Sequence, residues 1–162
     1  MDEATLKELA SRYDLAALRS RVPRETVQIP GVDPAQQRAD GWRLSMAETL
    51  RRADARPWRR AVFDAIEAPD MRVMIDTVEC TTPAEALDCL LEHLAGNQLA
   101  RLEEGPADLG FAVFQHPAAA PPALFFARDN LCVAVASFGA RPVPVEPWAR
   151  RLVQALSPIL RR

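Results

Sequence analysis

The sequence predicts an α+β domain: an antiparallel sheet of about five or six strands, a usual size for a sheet, with two helices packed on one face and another helix at the N-terminus. Three observations carry this. Met71–Gln98, MRVMIDTVECTTPAEALDCLLEHLAGNQ, reads as a strand, a tight corner and an amphipathic helix. Leu124–Phe138 reads as a hairpin. A second amphipathic helical pattern opens at Pro147.

In the first stretch Met71, Val73, Ile75 and Thr77 alternate with Arg72, Met74, Asp76 and Val78, the period of a strand with one buried face. The helix start is marked three times over. Thr82 can cap with its hydroxyl, Pro83 stands where no N–H is needed, and Glu85 falls at the third helical position. Ala86, Leu87, Leu90, Leu91 and Leu94 form the apolar stripe, with Glu85, Asp88 and Glu92 opposite. Gly96 is expected to end the helix in the left-handed conformation.

Asp2–Arg21 reads as one helix with Leu6, Leu9, Tyr13 and Ala17 on one side. Residues 22–41 form a linker punctuated by Pro23, Pro30 and Pro34, long enough that it either packs along the body or moves. The expected organisation is therefore an N-terminal helix and linker over 1–41 and an α+β domain over 42–162. Trp42–Arg51 fits both helix and strand templates, and Trp58–Ile66 matches the helical template better than the strand template. The short Glu67–Asp70 connection to the next strand favours strands for both. Leu99–Leu102 is expected as a short strand, Glu103–Ala107 as a turn and Leu109–Phe114 as a strand. His116–Ala123, HPAAAPPA, is a loop, because prolines cannot donate to a ladder. The hairpin turns at Arg128–Asn130. In its second strand the large Leu131, Val133 and Val135 should face the helices, and the small Cys132, Ala134 and Ala136 another layer. In the last helix Trp148, Leu152, Ala155, Leu156 and Ile159 recur at helical spacing, and Pro158 should loosen the end.

A chain of 162 residues with 49% hydrophobic residues has enough material for a core and is not a disordered composition. Its N-terminus, MDEATLKELASRYDL, is acidic rather than a signal peptide, and no run reaches membrane-span length. A cytoplasmic protein with no membrane role is expected. The net charge of −2 argues against nucleic acid as a partner. Lys7 is the only lysine; arginine and alanine dominate, the bias of a GC-rich genome and here taken as bacterial. Three cysteines, Cys80, Cys89 and Cys132, are too widely spaced for a disulfide framework or a zinc motif. They suit a reducing compartment, and neither a metal nor a cofactor is expected.

Two groups of residues carry candidate chemistry. Cys89 and His93, four apart on the central helix, are the candidate catalytic pair: a thiolate assisted by imidazole, or half of a metal site. Their plainer reading is a packing edge, since no orienting group or oxyanion site is marked. Arg51, Arg52, Arg56, Trp58, Arg59 and Arg60 are the candidate binding residues, a basic hairpin for phosphate, an acidic partner or RNA, with Trp58 stacking. Their plainer reading is a solvated hairpin end balanced by carboxylates such as Asp54 and Asp64. His116, beside a proline loop, reads as exposed, and the adjacent Glu103 and Glu104 as solvated charges. No phosphate loop, HExxH or GxSxG motif is present.

The order of strands, VECTTPAEALDCLLEHL, a glycine-bearing strand, a hairpin and a last helix resembles small bacterial antiparallel α+β domains of unassigned function over Trp42–Leu160. Small size, acidic pI and the order helix, three strands, helix, strands, helix are also similar to class I type III secretion chaperones. That resemblance implies a dimer that binds an extended effector segment. The function expected is a non-enzymatic binding or adaptor protein, with a protein partner or self-association as a homodimer. It would act through a sheet face or the Arg/Trp hairpin. The alternatives are a thiol-dependent enzyme and a secretion-chaperone-like dimer.

Overall fold

The computed structural model describes residues 2–25, 27–29, 32–51, 56–97 and 101–156. Among them, seven strands form one antiparallel sheet: β1 (Trp42–Arg51), β2 (Pro57–Ala65), β3 (Arg72–Glu79), β4 (Glu103–Glu104), β5 (Ala112–Gln115), β6 (Ala123–Arg128) and β7 (Leu131–Ser137). They lie in the order β1–β2–β3–β7–β6–β5–β4. The helices are α1 (Glu3–Arg12), α2 (Leu15–Ser20), α3 (Pro83–Gly96) and α4 (Glu146–Leu156), with a single 3-10 turn at Pro34–Gln36. The α+β class stands. The strand count of five or six rises to seven, because Glu103–Glu104, expected as a turn, pairs with Phe114 and Gln115 as an edge strand. The segment Leu99–Leu102 lies partly outside the described residues, as do Arg52, Asp54, Pro158 and Ile159.

The two main helices lie on opposite faces of the sheet, which corrects the expectation of one. On β7, Leu131, Val133 and Val135 join Phe63, Ile75 and Phe126 beneath Trp148, Ala149 and Leu152 of α4. Cys132 points the other way and joins Val78, Ala127 and Phe114 beneath Leu87, Leu90 and Leu91 of α3. A helical stripe states that a helix has a buried side; it does not say which side of a sheet receives it. The small row on β7 therefore lies under a helix after all. Small side chains there let α3 come close, while the large row meets α4 and the linker.

The N-terminal segment is two helices rather than one. Tyr13 is extended, and the Asp14 carboxylate accepts from the Ala17 backbone N–H at 2.9 Å, capping a new helix. The break frees Tyr13 to dock. Its hydroxyl accepts from the Leu102 N–H at 3.0 Å, and its ring meets Phe114 edge-on at 5.2 Å. Leu9, Tyr13 and Leu18 thereby extend the α3 layer. The linker then crosses to the other face, where Ile29 is fully buried in the α4-side core. Asn130, in the β6–β7 turn, holds it there: its side-chain oxygen accepts from the Ile29 N–H at 2.7 Å, and its amide donates to the Ile29 and Cys80 carbonyls. Thr77 Oγ1 donates to the Val32 carbonyl at 3.0 Å. Of the two alternatives, packing along the body is the one adopted by the described linker residues.

Trp42–Arg51 and Pro57–Ala65 are indeed strands, and the β6–β7 turn falls where expected, with Asp129 in the left-handed region at φ 48°. Gly96 does not end α3 in that region; the cap is Asn97 in an extended conformation. Gly139 is required for a different reason. A Cβ there would meet the Asp70 carbonyl oxygen at 2.1 Å, so only glycine lets the chain leaving β7 pass the β2–β3 turn.

The start of α3 is capped as its sequence implies. Thr82 Oγ1 accepts from the Glu85 N–H at 3.2 Å, and the Glu85 carboxylate reaches back to the Thr81 N–H at 2.8 Å. Thr82→Ala should cost about 1 kcal/mol in a denaturant titration. An unchanged midpoint would show that the cap contributes nothing to holding α3.

Candidate functional site

The β1–β2 hairpin carries the arginine cluster, and its register takes the cluster apart. Successive strand residues face opposite sides, so Trp58 and Arg60 point to the α3 side and Arg59 to the other. Arg60 makes a bidentate pair with the buried Asp76, both bonds at 2.8 Å, and its guanidinium lies 5.1 Å from the Trp58 ring centre. The bond to Asp76 pushes the Arg60 pKa up. Arg59 reaches Glu79 at 3.4 Å. Arg56 lies against α3, 3.8 Å from Glu92, and donates to the Glu85 carbonyl and toward Cys80 Sγ. Arg51 is exposed at the end of β1, and Arg52 lies outside the described residues. The balancing carboxylates are Asp76, Glu79 and Glu92, not Asp64. Asp64 instead pairs with Arg72 at 2.9 Å. Burial raises the Asp64 carboxyl, but hydrogen bonds from Arg72 and Ser45 and the nearby arginine charges hold it below its ordinary value. Three of the five described candidate residues are thus committed to carboxylates, which leaves little free positive charge to capture an anion.

Cys89 and His93 lie on one side of α3, and the sheet brings them company. Cys132, from β7, joins them with all three ligand atoms within 4.8 Å of one another. Cys80, at the end of β3, is in hydrogen-bonding contact with Cys89. All three cysteines of the chain are therefore neighbours, each buried and each a free thiol. The contact with Cys89, followed by burial, drives the Cys80 thiol far above its ordinary value. The Cys89 thiol is also raised, first by its hydrogen bond with the Cys132 thiol. A nucleophilic cysteine needs a low pKa and access, and Cys89 has neither. His93 is half-buried, with its ring 6.2 Å from Phe125.

His116 is half-buried rather than exposed. It donates from Nδ1 to the Pro121 carbonyl at 2.8 Å, which leaves Nε2 to accept from the Asn97 side-chain amide at 3.0 Å. It ties the proline loop to the end of α3. Glu103 and Glu104 are exposed, and Glu104 reaches Arg21 at 3.3 Å. A cleft of about 600 Å³ between the N-terminal helices and α3 is lined by Leu6, Arg19, Arg56, Glu85, Asp88 and Glu92. Its charges are mixed, and it gathers no convergent catalytic set.

One surface was not singled out by residue type. β1 is an edge strand of ten residues, and Arg43–Thr49 are all exposed. Leu44 and Met46 are 42% and 39% exposed. A bulge at Ser45 lies between them, so they project to opposite faces. The opposite edge, β4, is two residues long. Among the described residues no helix is long and apolar enough to cross a membrane. Comparison with known proteins found no matching family model, no similar curated protein and no similar solved structure.

Proposed function

We propose that the chain is a non-enzymatic binding protein, bacterial and cytoplasmic, that works by adding a β-strand to the β1 edge, the first such strand being β1 of a second copy. The observation that carries this is the length and openness of β1. A ten-residue edge presents a row of unpaired backbone donors and acceptors. Soluble proteins usually shorten, cover, bulge or heavily charge such an edge, and of these β1 carries a single bulge at Ser45. Here it shows Leu44 and Met46 with only scattered charges, Arg43, Glu48 and Arg51.

Those charges favour a second copy. In an antiparallel β1–β1 pairing centred between Ser45 and Met46, Arg43 stands opposite Glu48 of the other chain, twice over by symmetry. Arg43 and Glu48 share a face, as their partners Asp64 and Arg60 in β2 require. On the other face Leu44 then meets Ala47 of the second copy. Opposite charges directly across a pair are worth roughly 0.2–1 kcal/mol each, and like charges cost a similar amount. The dimer is the part of the secretion-chaperone resemblance that this edge supports. The buried Cys89 with its raised thiol favours a binding role over a thiol-dependent enzyme.

Sedimentation velocity of the full chain at micromolar concentration should show a dimer. Glu48→Arg should make it monomeric, and the charge exchange Arg43→Glu with Glu48→Arg should restore it. A wild-type chain that stays monomeric, with β1 amides exchanging equally fast at every concentration, would sink the proposal.

A further inference from the structure

The cysteines converge from three separate places. Cys80 directly follows β3, Cys89 lies on the second turn of α3, and Cys132 is the second residue of β7. The register sets Cys132 beside Val78, two residues before Cys80, and α3 folds back over both. Cys89, Cys132 and His93 meet here, and Cys80 reaches the group through its contact with Cys89, which draws in every cysteine of the chain. Plain packing under a helix needs only small side chains, and alanine supplies them elsewhere in the same row at Ala134 and Ala136. A set of three thiols and an imidazole is a soft donor set, suited to a d10 cation.

We propose that Cys89, Cys132 and His93 bind a zinc ion and that Cys80 completes a tetrahedral Cys3His site. Zinc takes sulfur at about 2.3 Å and imidazole nitrogen at about 2.0–2.1 Å. Tetrahedral placement then sets the sulfurs about 3.8 Å apart. The ligand atoms of Cys89, Cys132 and His93 lie within 4.8 Å of one another, close to that spacing. Binding converts three thiols to thiolates and releases three protons, while the imidazole binds neutral. Zn2+ with three thiolates carries a net charge of −1. The Arg56 guanidinium, whose Nη1 lies 3.7 Å from Cys80 Sγ, donates to a coordinated sulfur while keeping Glu92 as its ion-pair partner. With four protein ligands and three of them buried, the site is closed and structural, with no open position for a substrate. It would fasten α3 to the end of β3 and the start of β7, at the corner between β3 and α3. This inference does not depend on the β1 edge.

The test uses the full chain, reduced and stripped of metal with a chelator. Titration with Co2+ should give the visible bands of tetrahedral cobalt and a thiolate charge-transfer band, saturating at one equivalent. Zn2+ should displace the cobalt and bleach both, and the zinc-loaded protein should melt at a higher temperature. His93 is half-buried, so His93→Gln should leave the metal-free melting temperature unchanged and weaken cobalt binding at least 10-fold. Cys80→Ser should retain binding but shift the charge-transfer band, marking the fourth ligand. Absence of the visible bands would overturn the proposal. So would His93→Gln binding as wild type, or a metal affinity that leaves the melting temperature unmoved.

Discussion

Leu90→Ala should remove roughly 2–5 kcal/mol of stability. Leu90 is fully buried on the sheet side of α3, among Leu87, Leu91, Leu94 and Val78, and the N-terminal Leu9 and Tyr13 belong to the same cluster. The truncation removes most of a side chain in a layer closed by helices on one side and a sheet on the other, so little can move in to fill the space. The expected signature in urea is a lower midpoint with an unchanged slope. A loss below about 1 kcal/mol would place α3 at the surface. The docking of α1 and α2 upon it would then have no support, because Leu9, Tyr13 and Leu18 pack into that same layer.

The local parts of this fold were legible because local chemistry fixes them. Thr82, Pro83 and Glu85 mark a helix start in any surroundings, and the structure uses all three. The alternation in Arg72–Glu79 and Leu131–Ser137 marks strands, and the short connection at Glu67–Asp70 resolved the ambiguous Trp58–Ile66 as a hairpin neighbour. What was not legible is long-range. The pairing of β3 with β7 joins residues that are some 60 positions apart in sequence, and no pattern in either strand names the other. That single pairing decides which face of β7 meets α3. It therefore also decides that α3 and α4 lie on opposite faces. The break at Tyr13–Asp14 was hidden for another reason: an aspartate within a helical pattern reads as a solvent-facing charge until its capping bond is seen.

The candidate site was legible to the same extent. Cys89 and His93 share a helix, so their spacing alone places them together. Cys132 joins them only through the β3–β7 register, and Cys80 only through the corner before Thr82. The arginine hairpin fails in the opposite sense. Residues adjacent in sequence look like one patch, but strand alternation sends Arg59 and Arg60 to different faces, each toward a carboxylate on β3. The β1 edge has no residue signature. An edge is a property of strand order, and strand order is not written in the strand itself.

Trp148→Ala should cost about 3–5 kcal/mol, and the loss should come from the opposite layer. Trp148 is almost fully buried, meets Trp42 edge-on at 5.2 Å and lies 4.8 Å from the Phe63 ring. It joins α4 to the inner ends of β1 and β2, so truncation should also loosen the one part of β1 that is tied to the core. Because the sheet stands between Leu90 and Trp148 and the two belong to separate core clusters, their effects should add. If the fold tolerates both, the double variant should lose the sum of the single losses to within about 0.5 kcal/mol. If it does not, milder Leu90→Val and Trp148→Phe replacements allow the same comparison. A coupling energy well above that margin would mean that α3 and α4 share a packed layer, and the two-faced architecture would have to be abandoned.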